Sequence, residues 1–195
     1  MTTHDIFSRI TAALQQAGIQ YMLTGSVASA YYGAPRATRD IDLVIAPDPD
    51  QLGKFIRLLP SAEYYVDLDA ALQALRTRSL FNMVDLATGW KIDFIIRKAR
   101  PFSEVEFQRR VAIQLEGTQL FVAAAEDIVI SKLEWAKLAE SQRQIEDVAG
   151  ILRMQQDSLD LAYIQKWVGE LGLGPQWDAA RRAAEFPPSS PEFSR

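Results

Sequence analysis

The chain has 195 residues, 48% hydrophobic and 24% charged, with a formal net charge of −4. That length suffices for one domain with a real core, or one domain plus a small helical annex, and the acidic balance leaves no overall basic footprint for nucleic acid. There is no cysteine, so disulfides, zinc–thiolate sites and thiol catalysis are excluded; a Ser-His-Asp hydrolase would depend on the single histidine, His4, which reads as a surface residue.

Asp5 to Gln16 predicts an amphipathic helix with Ile6, Ile10, Ala13 and Leu14 on one face and Gly18 at its end. Ile19 to Leu23 predicts a buried strand that stops at Thr24. Gly25 then permits a sharp turn and a close backbone approach to a ligand. Ser26 can cap the next helix, and a helix N-terminus attracts anions. The plainer reading of Gly25-Ser26 is an ordinary helix cap. Gly33 stops that helix and Pro35 prevents its resumption. The connection carries Arg36 and Arg39, which either steer a phosphate-bearing ligand or are solvated loop charges.

Asp40 to Ile45 predicts a strand whose alternation puts Asp40 and Asp42 on one face and Ile41 and Leu43 on the other. Two carboxylates on one strand face repel unless a cation or water lies between them. Hard oxygen ligands of this kind suit Mg²⁺, usually held by one or two carboxylates plus substrate phosphates. The alternative is a solvated edge strand with two harmless acids.

Asp50 is expected to cap a helix through Leu58, which packs Phe55, Ile56 and Leu59 on the sheet. A second helix, Asp67 to Arg76, offers Leu68, Leu72 and Leu75 as a core stripe. Ser79 to Arg97 predicts two strands joined by a turn at Thr88-Gly89. In the second of them Asp93 stands among Ile92, Phe94, Ile95 and Ile96, either on a solvated face or placed there for a site. A short helix from Phe102 to Arg110 is followed by a hairpin, Val111 to Leu115 and Gln119 to Ala123, turning at Glu116-Gly117-Thr118.

From Ala125 only helical patterns continue, to about Glu185. They include Leu159 to Leu171, with Leu161, Ile164, Trp167 and Val168 inward, and a last helix from Gln176, where Trp177 packs back on the annex. The tail PPSSPEFSR reads as disordered. The expected fold is α/β: a small mixed twisted sheet flanked by helices, then a helical annex. The expected divisions are 1–124, 125–186 and the tail 187–195. With no apolar run near the ~18 residues of a membrane span, and no signal-peptide pattern, the expectation is a cytoplasmic protein.

Gly25-Ser26, then R-x-T-R-D-I-D-L-V over Arg36 to Val44, then a distant strand acid at Asp93, resembles the DNA polymerase β-type nucleotidyltransferase superfamily. The likeness is closest to its minimal, toxin-type branch, which includes the abortive-infection toxins of type IV toxin–antitoxin pairs. The resemblance implies the nucleotidyltransferase fold and transfer of a nucleoside monophosphate from an NTP to an acceptor hydroxyl, with release of pyrophosphate. It implies that Gly25 and Ser26 grip the nucleotide phosphates, with Arg39 beside them. Asp40 and Asp42 would hold two Mg²⁺ ions (Mn²⁺ as a substitute), and Asp93 would share one metal and help activate the acceptor.

The segment AEDIVISKLEWAKL resembles the family segment in which an acid-capped helix presents a lysine, here Lys132. RQIEDVAGIL resembles a further motif whose acid is Asp147, with Gln144 where relatives often have a second acid. The implied roles are Lys132 on the triphosphate and Asp147 orienting it; the alternative is a surface lysine and a helix-cap ion pair. An RNA end, a protein side chain and a small molecule such as an antibiotic hydroxyl all remain open as acceptor, and an antitoxin is the implied partner. The competing reading is a catalytically idle nucleotide-binding or partner-binding module.

Overall fold

The computed structural model describes residues 3–35, 37–115 and 117–185. Arg36, the Glu116 turn residue, the side chain of His4 and the 187–195 tail lie outside the described residues. The described residues fall into two compact units, one within residues 1–28 and 36–124, the other within residues 29–35 and 125–195.

The first unit is built on a seven-stranded mixed sheet. Its strands are β1 (Tyr21–Thr24), β2 (Asp40–Ile45), β3 (Tyr64–Val66), β4 (Leu80–Asp85), β5 (Lys91–Ile96), β6 (Val111–Leu115) and β7 (Thr118–Val122). They lie in the order β3-β4-β5-β2-β1-β7-β6. β1 runs antiparallel to β2 and parallel to β7, and β2 runs parallel to β5. The helices of this unit are α1 (Thr3–Ala17), α3 (Pro49–Leu58), α4 (Leu68–Thr77) and α5 (Pro101–Gln108). α2 (Gly25–Tyr31) starts in this unit, and its residues from Ser29 on go with the other.

Alternation decides which face of the central strands is core. Ile41, Leu43 and Ile45 of β2, and Ile92, Phe94 and Ile96 of β5, are all buried. Phe94 stacks on Phe81 of β4, with ring centroids 5.0 Å apart, and meets Phe55 of α3 edge-on at 5.2 Å. Burying one such ring is worth about 1.5–3 kcal/mol, so this cluster fixes α3 on the sheet. The opposite face of the same strands carries Asp40, Asp42 and Val44 of β2 and Lys91, Asp93 and Ile95 of β5.

Local signals set the connections, with some departures from the sequence expectation. α3 is capped by Asp48 and not by Asp50: the Asp48 carboxylate accepts from the Gln51 N–H at 2.8 Å, and the Gln51 side chain accepts from the Asp48 N–H at 3.0 Å. With Pro49 at the first helical position, the helix starts two residues earlier than a cap at Asp50 would place it. The stripe expected in α4 is not its core face. Leu68 is 44% exposed and Leu72 and Leu75 are half-buried, whereas Ala71 and Ala74 are fully covered, so this helix makes its closest approach through small residues. β3, a three-residue edge strand, was too short to give a periodic signal. The β4–β5 turn is tied by Asp85, whose Oδ1 accepts from the N–H groups of Ala87 and Thr88 and from the Thr88 hydroxyl at 2.8–3.1 Å.

The second unit is helical: α6 (Ala125–Ala139), α7 (Gln142–Gln155), α8 (Leu161–Glu170) and α9 (Gly174–Ala184). Ile128 and Leu133, Val148 and Leu152, Ile164 and Trp167, and Trp177 and Ala180 make its core. Asp160 caps α8 by accepting from the Tyr163 N–H at 2.9 Å. The 29–35 segment is fastened to α7: Gln155 donates to the Tyr32 carbonyl at 3.4 Å, and Gly33 lies so close to Met154 that a Cβ there would sit 2.4 Å from its side chain. No helix among the described residues is long and apolar enough to cross a membrane.

Candidate active site

The register of three strands gathers the predicted acids. Parallel pairing of β2 with β5 sets Asp40 opposite Lys91 and Asp42 opposite Asp93, on the face that the buried residues leave free. Antiparallel pairing of β1 with β2 sets Thr24 opposite Asp42, so the Gly25-Ser26 turn emerges directly beside that carboxylate. Gly25 has φ +65°, and a Cβ on it would lie 2.0 Å from Asp42 Oδ2. Glycine is therefore required twice over, for the left-handed backbone and for the approach of this turn to an acid.

α2 is seven residues long and begins at Gly25, one residue before the expected cap. Two turns of helix carry little macrodipole, so any anion affinity here rests on the Gly25-Ser26 backbone and hydroxyl. Ser26 is buried. Arg39 is exposed, and its carbonyl accepts from the Lys91 N–H at 3.0 Å, which pins the start of β2 to β5.

Asp93 is not alone on its face. Lys91 Nζ donates to Asp93 Oδ2 at 2.8 Å, and Asn82 of β4, opposite Asp93 in the β4–β5 pair, donates to Oδ1 at 3.1 Å. That hydrogen bond to Asp93 raises the Lys91 ammonium above the usual lysine value; partial burial opposes the rise, and the charges of Asp93, Asp40 and Asp42 add to it. One cation thus feels all three acids. Sequence reasoning missed both partners. Lys91 was within reach, since residues two apart on a strand share a face; Asn82 required the hairpin register.

Among the described residues no three His, Asp or Glu side chains converge as a ready metal site. The donor set still fits a magnesium ion that takes its other ligands from substrate phosphates and water. Asp40 and Asp42 supply hard oxygens on one strand face, and Lys91 shows that this face already accommodates a positive charge.

Lys132 and Asp147 meet within the second unit. Lys132 on α6 donates to Asp147 Oδ2 on α7 at 2.6 Å and to Gln144 Oε1 at 3.0 Å. Their side chains are 5% and 9% exposed. The alternative of a surface lysine is thereby overturned: the ammonium is buried, paired with Asp147, and also held by Gln144. A charge pair this buried has no value as ordinary surface solvation, and burying it carries a desolvation cost.

No curated protein matches the sequence. Similar solved structures include ANT(2")-Ia in complex with adenylyl-2"-tobramycin, 13% identical, with a TM-score of 0.57 over 90% of this chain and 99% of that one. An antigenic nucleotidyltransferase-like protein from Paracoccidioides brasiliensis is 16% identical, with a TM-score of 0.50 over 90% and 92%. The lincomycin-bound lincosamide antibiotic adenylyltransferase LnuA is 12% identical, with a TM-score of 0.50 over 77% and 96%. At these identities they show the shared fold. Residues 9–188 match the profile of the nucleotidyl transferase AbiEii toxins of type IV toxin–antitoxin systems, and the chain belongs to that nucleotidyltransferase family.

Proposed function

We propose that this nucleotidyltransferase moves a nucleoside monophosphate from an NTP to an acceptor hydroxyl, using Mg²⁺ held at Asp40 and Asp42. The observation that carries the reading is the register Thr24–Asp42–Asp93, which sets a Gly-Ser turn and two strand acids side by side. The Gly25 backbone and the Ser26 hydroxyl bind triphosphate oxygens. Asp93, oriented by Asn82, accepts the proton of the acceptor hydroxyl. The acceptor oxygen then bonds to the α-phosphorus, the bond from that phosphorus to the β-phosphate oxygen breaks, and pyrophosphate leaves. When bound, divalent cations supply charge stabilisation at the attacking and leaving oxygens. Ser26 stands at the start of a helix, where its hydroxyl suits hydrogen bonding, and it positions phosphate and is not a nucleophile.

Lys132 binds nucleotide phosphate in this reading, with Asp147 and Gln144 fixing the direction of its ammonium. Arg39, exposed at the start of β2, is a further phosphate contact. The cation is Mg²⁺, two ions in the working enzyme, with Mn²⁺ as a substitute. The proposed partner is an antitoxin, following the family. An RNA end and a protein hydroxyl are the acceptors that suit a toxin; a small-molecule hydroxyl suits the kind of proteins whose structures bind tobramycin or lincomycin products and ligands.

The test is incubation of the protein with each α-labelled NTP and Mg²⁺ in cell lysate, followed by separation of RNA, protein and small molecules. Label is expected in one of these fractions and lost with Asp40→Asn/Asp42→Asn. Equal labelling by the wild type and the double variant would sink the assignment.

A further inference from the structure

Lys91 lies on the acid face and has no part in the reaction as drawn above. Its backbone is fixed, since its N–H is bound to the Arg39 carbonyl. Its side chain is 44% exposed, whereas that of Asp93 is 14% exposed, so the ammonium reaches the carboxylate from the solvent side on a flexible stem. Asn82 holds the other carboxylate oxygen independently. Asp93 therefore stays oriented whether or not the lysine is in place.

We propose that Lys91 is a resident counter-ion that competes with the divalent cation for Asp93, and so makes Asp93 a conditional member of the site. Without metal, three acids on adjacent strands repel, and Lys91 offsets part of that charge. Metal arriving at Asp40 and Asp42 supplies the positive charge in its stead, and the ammonium withdraws from Asp93 Oδ2. The lysine is a positioning residue: it decides when the Asp93 oxygen is free, and Asn82 keeps that oxygen aimed. This inference rests on the reading of Asp40 and Asp42 as the metal pair.

The experiment is direct titration of the full chain with MnCl₂, reading free Mn²⁺ by its paramagnetic resonance signal, without nucleotide and without turnover. Lys91→Met is expected to tighten Mn²⁺ binding by about fivefold or more, the scale of a partly exposed ion pair together with one removed like charge. Lys91→Arg, whose fork grips a carboxylate at two points, is expected to weaken it. Should the methionine variant fail to fold, the arginine variant alone decides by its direction. Binding that is unchanged or weaker in Lys91→Met, or unchanged or tighter in Lys91→Arg, overturns the proposal while the metal pair stands. If neither the wild type nor the folded variants bind Mn²⁺, the metal pair itself is wrong and the competition falls with it.

Discussion

Gly25 and Asp42 meet backbone to carboxylate, in a contact so close that a single added methyl group would lie 2.0 Å from Oδ2. Gly25→Ala should therefore disturb an acid, and not only a turn. Gly89 is the control, with φ +72° and nothing within 4 Å of where a Cβ would lie. Gly89→Ala is expected to cost about 1–2 kcal/mol, the price of the left-handed backbone alone. Gly25→Ala should cost more by a further ~1–3 kcal/mol of overpacking, and should reduce label transfer steeply. Urea denaturation of the two variants side by side reads the difference; equal costs would show that Asp42 yields freely.

Asp93→Asn keeps the side-chain size and the strand register. It removes the charge that attracts Lys91 and would accept the acceptor proton. Transfer is expected to fall by roughly a hundredfold or more, the low end of general-base effects, with NTP affinity close to normal. Calorimetric binding and labelled transfer on one preparation check this. Wild-type transfer would make Asp93 structural, and a joint fall of binding and transfer would move it to the nucleotide side.

Lys132→Met leaves Asp147 buried without its ammonium and should destabilise the protein by about 3–5 kcal/mol. The double variant Lys132→Met/Asp147→Leu replaces both charges with apolar groups and should recover most of that loss. Chemical denaturation measures the stabilities. If transfer stays absent in a stable double variant, the pair serves the reaction; if transfer returns with stability, the pair only holds α6 to α7.

Burial, with the charges of Tyr31, Glu126 and Asp127 adding, pushes the Tyr32 phenol up to about 12. Between about pH 10, where an unfolded tyrosine ionises, and pH 12 the unfolded chain releases this proton and the folded chain keeps it. The stability from this residue is thus complete below that window and falls as pH rises through it, by an amount that the partial exposure of the phenol reduces through solvent screening. Tyr32→Phe should show a shallower loss of stability between about pH 9 and about pH 11.5. Parallel slopes for the two proteins would remove Tyr32 as the source.

The parts of the fold that were legible in the sequence carry a strong period or strong punctuation. β2 and β5 announce themselves by β-branched alternation, and the same alternation separates Asp40 and Asp42 from Ile41 and Leu43. The helices from Ala125 onward follow from their apolar spacing. What stayed hidden depends on pairing between distant segments. Nothing in the Leu80–Asp85 segment tells Asn82 that its neighbour is Asp93, and a three-residue strand at Tyr64 has too few positions for any period. Leu68 misled because hydrophobicity marks a face as apolar without saying that a neighbour will cover it; the fully buried residues of α4 are Ala71 and Ala74. Burial of Lys132 escaped for a related reason, since a lysine is read as solvated until its partner is placed.

The chain enters its helical unit at residues 29–35, leaves it for residues 36–124, and returns at Ala125. On a ribosome the segment next to Gly25-Ser26 emerges long before α7, the helix that fastens it through Gln155 and Met154. At about 5–20 residues per second the interval of 123 positions between Tyr32 and Gln155 lasts roughly 6–25 seconds. All three strand acids are already synthesised during it, while Tyr32 and Gly33 wait for their anchors. A nascent or prematurely terminated chain that stops before residue 125 therefore carries the whole acidic face with the far end of α2 untethered.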